Sequence, residues 1–282
     1  MKTLPLINPK QETNKIIRFL KKIQKKTKLD KIVIGLSGGV DSAVVLNLLT
    51  RAYLKKNIYV SYMPYDLPLI RSWNKDYREI KELVEILKIP KSNFFAIPIS
   101  GPSEKIIYQM KTAGYSGIDK IMHEVNDCFT CPNIDIVKKT RMGNIMARLR
   151  MIFLFDLAKR FNGLVAGTEN KSEHLLGYYT RFGDGASDIE PIIHLYKTQV
   201  YQLAKYLKVP KKIIEKEPSA GLWPCQTDEG EFGFTYKEAD WILYLNRDKK
   251  IPLDKIPFKN ARRIFERVKD NQFKQEVPYK II

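Results

Sequence analysis

The segment from Lys31 to Leu54 places a strand, a glycine turn and a helix in immediate succession. Ile32–Leu36 is apolar and largely β-branched, which is typical of a central strand in a parallel sheet. Apolar residues then recur at helical spacing from Val44 to Ala52. The turn between these elements therefore points free backbone N–H groups outward, and a helix N-terminus in that position favours an anion.

The glycine turn reads Ser37-Gly38-Gly39-Val40-Asp41-Ser42. Its glycines let the backbone approach a phosphate closely, and its serines add hydroxyl donors. The turn lacks the lysine of the G-x-x-x-x-G-K-[ST] phosphate loop, so we do not expect a nucleoside triphosphatase of that class.

Asp41 would repel a phosphate bound in this turn unless a divalent cation stood between them. Mg²⁺ takes one or two carboxylates together with substrate phosphates. The hexapeptide resembles the pyrophosphate loop of enzymes that cleave ATP between its α- and β-phosphates. The alternative is a tight strand-to-helix turn in which Asp41 and Ser42 only cap the helix.

Strands and helices alternate along the first two thirds of the chain. Further strands are predicted at Asn57–Met63, Asn93–Ile99 and Gly163–Ala166, and helices at Asn74–Lys88, Thr140–Phe161, Tyr196–Leu207, Thr235–Leu245 and Phe258–Lys269. This alternation predicts an α/β fold with a doubly wound, mostly parallel sheet, which binds ligands beyond the carboxyl ends of its strands. We expect a single domain over 1–282, with an N-terminal helix at 12–28, an α/β core at about 31–210 and a helical C-terminal part at about 211–282.

The composition narrows the class of protein further. Hydrophobic residues make up 44% of the 282 positions, which is enough for a sizeable core. The formal net charge of +18 attracts nucleotides and other acidic partners. No segment approaches the ~20 apolar residues of a membrane span, and three cysteines do not make a disulfide framework. We therefore expect a cytoplasmic protein without a membrane partner.

A second dense polar stretch runs from Gly167 to Pro191. Ser172 is a candidate cap for a helix whose first turn contains Glu173, and the Gly183–Gly185 loop would return the chain to the same cleft. Glu173 and Asp41 together are a reasonable Mg²⁺ pair if a polyphosphate supplies the remaining ligands. Alternatively, Glu173 only complements a helix dipole.

Several ordered motifs resemble the ammonia-dependent NAD synthetases, a family of the pyrophosphate-loop ATPase superfamily. The matching segments are Gly35–Ser42, Asn144–Met151, Gly167–Pro191, Leu195–Val200, Pro218–Trp223 and Gln226–Glu229. The resemblance implies ATP-dependent amidation of deamido-NAD (nicotinate adenine dinucleotide) to NAD with ammonia. The nicotinate carboxylate attacks the α-phosphate of ATP and releases pyrophosphate, and ammonia then displaces AMP from the adenylated intermediate.

The resemblance also implies roles for individual residues. ATP is expected to contact Gly35, Leu36, Ser37, Gly38, Gly39, Val40, Asp41, Ser42, Thr168, Lys197 and Ser219. Mg²⁺ is expected on Asp41 and Glu173, and deamido-NAD on Arg148, Arg181 and Asp188. Asp184 is expected to orient ammonia or accept its proton, and Lys197 to neutralise the phosphorus centre during adenylation. From the residues alone, Asp184 and Asp188 can also be turn residues.

Three positions depart from the family pattern. Arg181 stands where lysine is usual, Cys225 where a glycine is usual, and Phe273 where a histidine commonly precedes Lys274. A further unusual feature is the long stretch Ala113–Lys139 with its Cys128-x-x-Cys131 pair. That pair suits half of a zinc site, reduced surface thiols or a redox pair.

The chief alternative is a tRNA-modifying enzyme with the same pyrophosphate loop, to which the basic charge and the cysteine pair are also suited. It leaves the motifs of the second half unexplained, so nucleic acid is not the expected partner. The residues before Lys31 are too few for a glutaminase domain, which indicates free ammonia or a separate donor. Members of the family are typically homodimers, and we expect the same here.

Overall fold

The computed structural model describes residues 4–65, 76–112, 136–222, 226–279 and 281. In these ranges, four parallel strands form one sheet in the order β3-β2-β1-β4. The strands are β1 (Lys31–Gly35), β2 (Ile58–Tyr62), β3 (Phe94–Ala96) and β4 (Gly163–Ala166). The predicted α/β fold with a doubly wound parallel sheet is confirmed.

The register of the central strands places the glycine turn at the edge of a crevice. Ile32 of β1 lies opposite Ile58 of β2 and Leu164 of β4. The chain first adds strands on one side of β1 and then crosses to add β4 on the other side. Such a change of direction opens a crevice at the carboxyl ends of the two strands that flank it, here β1 and β4.

The helices surround this sheet and extend beyond it. They are α1 (Pro9–Thr27), α2 (Val40–Ala52), α3 (Arg78–Ile86), α4 (Ser100–Thr112), α5 (Ile136–Phe161), α6 (Lys171–Leu176), α7 (Lys197–Tyr206), α8 (Lys211–Ile214), α9 (Asp228–Phe232), α10 (Tyr236–Leu243) and α11 (Ala261–Asn271).

Alternate residues of β1 serve two different cores. Ile32 and Ile34 are fully buried in a core that includes residues of α1, α2 and α7. Val33 is fully buried on the opposite face, together with residues of α5 such as Leu154. A third core, around Phe232, joins the C-terminal helices. Helices on both faces explain why the β1 sequence is apolar at successive positions.

Some element boundaries differ from the sequence expectation. Helix α1 begins at Pro9 because the Asn8 side chain accepts a hydrogen bond from the backbone N–H of Gln11. Strand β3 covers only Phe94–Ala96 of the predicted Asn93–Ile99, although Ile97 and Ile99 still donate backbone hydrogen bonds to the carbonyl oxygens of Tyr62 and Pro64. Helix α5 starts at Ile136, four positions before the predicted start.

Helix α4 was not predicted at all. Its sequence has weak amphipathic periodicity, and the buried Ile107 packs in a small cluster with Met142 of α5. The helix is held instead by local contacts at its start, where Ser103 donates from its hydroxyl to the carbonyl oxygen of Ile99 at 2.7 Å. A short contact surface of this kind leaves little trace in the sequence pattern.

Candidate active site

A cleft of about 960 Å³ opens at the carboxyl ends of β1 and β4. The loops after both strands, the start of α7 and the segment that follows α8 contribute to its walls. The predicted site residues that line it are Gly35, Leu36, Ser37, Gly39, Val40, Asp41, Thr168, Glu173, Asp184, Lys197 and Ser219. The structure therefore brings most of the predicted ATP, metal and catalytic residues into one cavity.

The glycine turn is open toward the cleft. Gly38 has a φ of +83°, a backbone conformation that favours glycine. A Cβ at Gly39 would meet a single atom within 4 Å, the Oγ of Ser37 at 3.2 Å. Helix α2 begins without a side-chain cap, and Ser42 donates from its hydroxyl to the carbonyl oxygen of Gly39 at 3.1 Å. The capping interpretation of Asp41 and Ser42 is therefore not the arrangement found.

Asp41 instead faces two residues from the distant polar stretch and its following helix. Its Oδ2 lies 2.5 Å from the Nζ of Lys197, and its Oδ1 accepts a hydrogen bond from the Nδ2 of Asn170 at 3.0 Å. The same Lys197 ammonium lies 3.0 Å from Oε1 of Glu173. One buried cation is thus bracketed by the two carboxylates that were predicted to bind Mg²⁺.

Burial and the neighbouring charges shift the pKa values of Lys197 and Glu173. Burial alone would lower the pKa of Lys197, but the charges of Asp41 and Glu173 raise that pKa well above its ordinary value. Burial raises the pKa of Glu173, Lys197 opposes the rise, and the nearby charge of Asp41 adds to it. The ammonium is therefore firmly protonated, and it offsets the repulsion between two carboxylates in a poorly hydrated place.

A capping box at the start of helix α6 fixes the position of the Glu173 side chain. Asn170 Oδ1 accepts from the N–H of Glu173 at 3.0 Å, and Glu173 Oε2 accepts from the N–H of Asn170 at 3.3 Å. This arrangement uses one carboxylate oxygen of Glu173 locally and leaves the other for Lys197. The expectation that Ser172 caps the helix is wrong, because the asparagine two positions earlier is an equally good cap and already occupies that position.

Ser172 has a different contact, to the buried Asp240 of α10. The Ser172 hydroxyl donates to Asp240 Oδ1, and the Ser172 oxygen accepts from the backbone N–H of Lys197 at 2.9 Å. The other oxygen of Asp240 accepts from the N–H and the hydroxyl of Thr198, at 2.8 and 2.7 Å. Asp240 thereby ties together the residues next to Glu173 and Lys197, a role that sequence reasoning missed.

Asp184 lies in the same cleft. Its Oδ1 accepts from the N–H of Thr180 at 2.9 Å. Desolvation by the surrounding protein raises the pKa of Asp184, while the hydrogen bonds from Thr180 and the charge of Arg150 oppose that rise. Arg150 also lines the cleft and donates from Nε to the carbonyl oxygen of Met63 at 3.0 Å. A carboxylate with a raised pKa is suited to accept a proton near neutral pH.

The three residues expected to contact deamido-NAD lie outside the lining of this cleft. Arg148 is exposed on α5 and donates from Nη2 to the carbonyl oxygen of Arg181 at 3.2 Å. Asp188 accepts a hydrogen bond from the N–H of Val165 in β4 at 2.8 Å. Their roles toward deamido-NAD stay predictions.

Asp228 is a buried carboxylate of the cleft for which the sequence suggested no role. It opens helix α9 and is 3% exposed. Its Oδ2 accepts from the hydroxyl of Tyr236 at 2.9 Å, and its Oδ1 has no hydrogen-bond partner among the described residues. The motif Gln226–Glu229 was a signal for this residue, although not for its position beside the Lys197 cluster.

Two of the departures from the family pattern are visible. The Arg181 guanidinium lies 5.3 Å from the centroid of the Phe273 ring, so two of the unusual residues contact each other. Lys274 donates to the carbonyl oxygens of Gly177 and Tyr179 at 2.6 and 3.1 Å. Cys128, Cys131 and Cys225 lie outside the described residues, as does most of Ala113–Lys139.

The described residues show neither a membrane-spanning helix nor a cluster of metal ligands. None of their helices combines the length and the apolar character that a membrane crossing requires. Within the same ranges, no group of three or more His, Cys, Asp and Glu side chains is arranged to hold a metal. A cation on Asp41 and Glu173 would take its remaining ligands from phosphate and water.

Known proteins are similar to this chain in sequence and in fold. A family model described as NAD synthase matches residues 12–278. The NH3-dependent NAD+ synthetase of Fusobacterium nucleatum subsp. nucleatum is 37% identical over 278 residues, which cover 96% of this chain and 95% of that protein.

Among solved structures, an NMN synthetase from Francisella tularensis is similar with a TM-score of 0.75 and 31% identity, covering 98% of this chain and 99% of that one. An NH3-dependent NAD synthetase from Campylobacter jejuni subsp. jejuni, in complex with nitrate, gives a TM-score of 0.73 and 28% identity, covering 98% of this chain and all (100%) of that one. The family match spans nearly the whole chain, and the same ordered motifs form one cleft at the strand ends. The chain therefore belongs to the NAD synthase family.

Proposed function

We propose that the cleft at the ends of β1 and β4 carries out the ATP-dependent amidation of deamido-NAD to NAD with ammonia. The observation that carries this assignment is the convergence of Asp41, Glu173 and Lys197 beside an open glycine turn, with Asp184 in the same cavity. This set supplies a phosphate cradle, a cation site and a proton acceptor. The alternative of a tRNA-modifying enzyme is not favoured, because curated relatives that cover nearly the whole chain are NH3-dependent NAD+ synthetases.

In the first half-reaction, the glycine turn holds the ATP phosphates with its backbone N–H groups and the Ser37 and Ser42 hydroxyls. Thr168 and Ser219, which also line the cleft, contact ATP. The nicotinate carboxylate oxygen bonds to the α-phosphorus, and the bond to the β-phosphate oxygen breaks, so pyrophosphate leaves. Positioning of the two substrates supplies much of the rate.

Asp41 and Glu173 fit a divalent cation because a positive charge, the Lys197 ammonium, already stands between their oxygens at 2.5 and 3.0 Å. These two carboxylates would hold Mg²⁺. When bound, Mg²⁺ supplies Lewis-acid charge that stabilises the phosphate oxygens. Lys197 cannot share that position, and its ammonium instead neutralises charge at the α-phosphorus during adenylation.

In the second half-reaction, ammonia forms the new C–N bond and AMP departs with the C–O electron pair. The nitrogen carries an extra proton after this attack, and Asp184 accepts it. The raised pKa of Asp184 supports this role because it brings the carboxylate closer to the pKa range of an effective general base.

Arg148, Arg181 and Asp188 bind deamido-NAD in this proposal, next to a partner protomer. The same side of α5 that exposes Arg148 also exposes Ile152 and Phe155, which are 61% and 40% exposed. Exposed apolar residues around an arginine suit a protein interface. This surface supports a homodimer, and we place the enzyme in the cytoplasm, where ATP is available.

The test is product formation by the purified protein with ATP, Mg²⁺, ammonium and deamido-NAD, following NAD and AMP together. Equal amounts of both products that require every component are expected. Because one structural neighbour is an NMN synthetase, a parallel series replaces deamido-NAD with nicotinate mononucleotide. Amide formation from the mononucleotide alone would contradict the dinucleotide assignment, and ATP cleavage stimulated by tRNA would favour the alternative enzyme.

A further inference from the structure

Lys216 extends over the glycine turn from a distant part of the chain. It follows helix α8, and its Nζ lies 3.4 Å from the point where Gly38 would carry a Cβ. Both Lys216 and the residues flanking Gly38 line the cleft. A ligand seated on this turn would therefore meet the Lys216 ammonium within ion-pair distance.

Lys216 contacts a surface carboxylate. Its Nζ lies 2.9 Å from Oδ1 of Asp76, and the two side chains are 36% and 39% exposed. An ion pair of such exposure contributes little to stability because water screens it and both side chains lose rotamer freedom. Exchange of this single carboxylate for a polyphosphate is consequently favourable.

Lys197, the other lysine of the cleft, is placed differently. Its side chain is 4% exposed and is shared by Asp41 and Glu173. That arrangement neutralises the acidic end of the turn. The turn lacks a lysine of its own. A phosphate bound to the backbone N–H groups around Gly38 would therefore have Lys216 as its adjacent cation.

We propose that Lys216 is the phosphate-binding lysine of the glycine turn, supplied in space by a segment remote in sequence. When ATP binds, the ammonium leaves Asp76 and contacts the β- and γ-phosphate oxygens. It stays with these oxygens as they leave as pyrophosphate. This inference rests on the proposed binding of ATP phosphates to the turn.

The experiment measures the affinities of ATP, pyrophosphate and AMP for the full chain by calorimetry with Mg²⁺. Lys216→Met is expected to weaken ATP and pyrophosphate by about 10- to 100-fold, the usual effect of losing one hydrogen bond to a charged group. AMP lacks the β- and γ-phosphates, so its affinity is expected to be unchanged. Lys216→Arg, which keeps the charge, is expected to restore most of the affinity.

Lys212→Met is the matched control. Lys212 lies on α8, pairs with Glu82 and does not line the cleft. Like Lys216→Met, the Lys212→Met variant removes one positive charge from this surface. Its ATP affinity is expected to match that of the unmodified protein. Equal weakening by both methionine variants, or weakening of AMP together with ATP, would overturn the assignment of Lys216.

Gly39→Ala separates this inference from the proposed site. The added methyl group meets only the Ser37 hydroxyl within 4 Å, so the fold tolerates it while the cradle is partly filled. If Gly39→Ala loses ATP affinity and Lys216→Met does not, the turn binds phosphate and the role of Lys216 is wrong. If neither variant loses affinity, the turn is not the phosphate site and both proposals fail.

Discussion

The Nζ of Lys197 lies 2.5 Å from Oδ2 of Asp41, although 156 positions separate the two residues in the sequence. Glu173 shares the same ammonium at 3.0 Å. The positive charge between the two carboxylates is thus part of the chain itself.

Lys197→Met is expected to lower the free energy of unfolding in the metal-free protein by about 3 kcal/mol, because it leaves two buried carboxylates facing each other. Mg²⁺ should recover part of this loss, since the vacated position then accepts the metal. Urea denaturation with EDTA or with Mg²⁺ measures both effects. Lys205→Met, at an exposed position of the same helix, is the control. Equal stability of the two variants in EDTA would contradict the cation role of Lys197.

Asp41→Asn and Glu173→Gln are each expected to reduce NAD formation at least about 100-fold while the protein stays folded. Each variant removes one ligand charge with little change of volume, and Mg²⁺ needs those charges. Steady-state assays over a range of Mg²⁺ concentrations, with circular dichroism as the fold check, measure the effect. Asp254→Asn, at an exposed position that does not line the cleft, serves as the control. Full activity of both site variants would show that the metal assignment is wrong.

Asp184→Asn is expected to separate the two half-reactions. The amide side chain cannot accept the proton released by ammonia, so NAD formation should fall by about 10²- to 10⁴-fold. Adenylation does not need this proton transfer, and exchange of labelled pyrophosphate into ATP in the presence of deamido-NAD should persist. Loss of the exchange reaction together with NAD formation would place Asp184 in adenylation instead.

Glu190 gives a prediction about pH. Burial raises the pKa of Glu190 to about 8, hydrogen bonding by Ser187 opposes the rise, and the charge of Glu169 adds to it. The folded protein therefore retains a proton that the unfolded chain, with an ordinary pKa of about 4.5, releases. The resulting stability is complete below about pH 4.5 and is lost as the pH rises to about 8, by up to about 1.4 kcal/mol per unit.

Glu190→Gln should flatten this dependence, because a glutamine does not titrate. Urea midpoints of the variant and the unmodified protein at pH 5, 6, 7 and 8 make the comparison. Glu266→Gln, at a side chain that is 59% exposed, is expected to follow the unmodified protein. Parallel curves for the Glu190 variant and the unmodified protein would contradict the raised pKa.

The parts of the site that could be predicted are those that depend on residues close together in the sequence. The turn after β1 and the carboxylate on α6 follow from strand, glycine and capping patterns, and the resemblance to a family connected them. The hydrogen bond from Asn170 to Asp41 spans 129 positions, and its geometry depends on the order of the strands. No periodicity or spacing encodes such a distance.

The same limit explains the residues that were missed. Asp240 looks like an ordinary acidic residue of an amphipathic helix, and only the packing of α10 against α6 and α7 reveals its contacts. Ser172 was misjudged as a cap because serine and asparagine are similarly good caps. Asn170 and Ser172 are both adequate N-cap residues by local sequence. Tertiary structure distinguishes them, because the Ser172 hydroxyl contacts Asp240 and the backbone N–H of Lys197.

The placement of β4 beside β1 also has a consequence for synthesis of the protein. A nascent chain that has emerged only through β3 already contains the glycine turn, but its Asp41 has neither Asn170 nor Lys197 beside it. An uncompensated carboxylate repels a polyphosphate. The surroundings of Asp41 are therefore complete only after the segment that carries Asn170 and Lys197 has docked beside the turn.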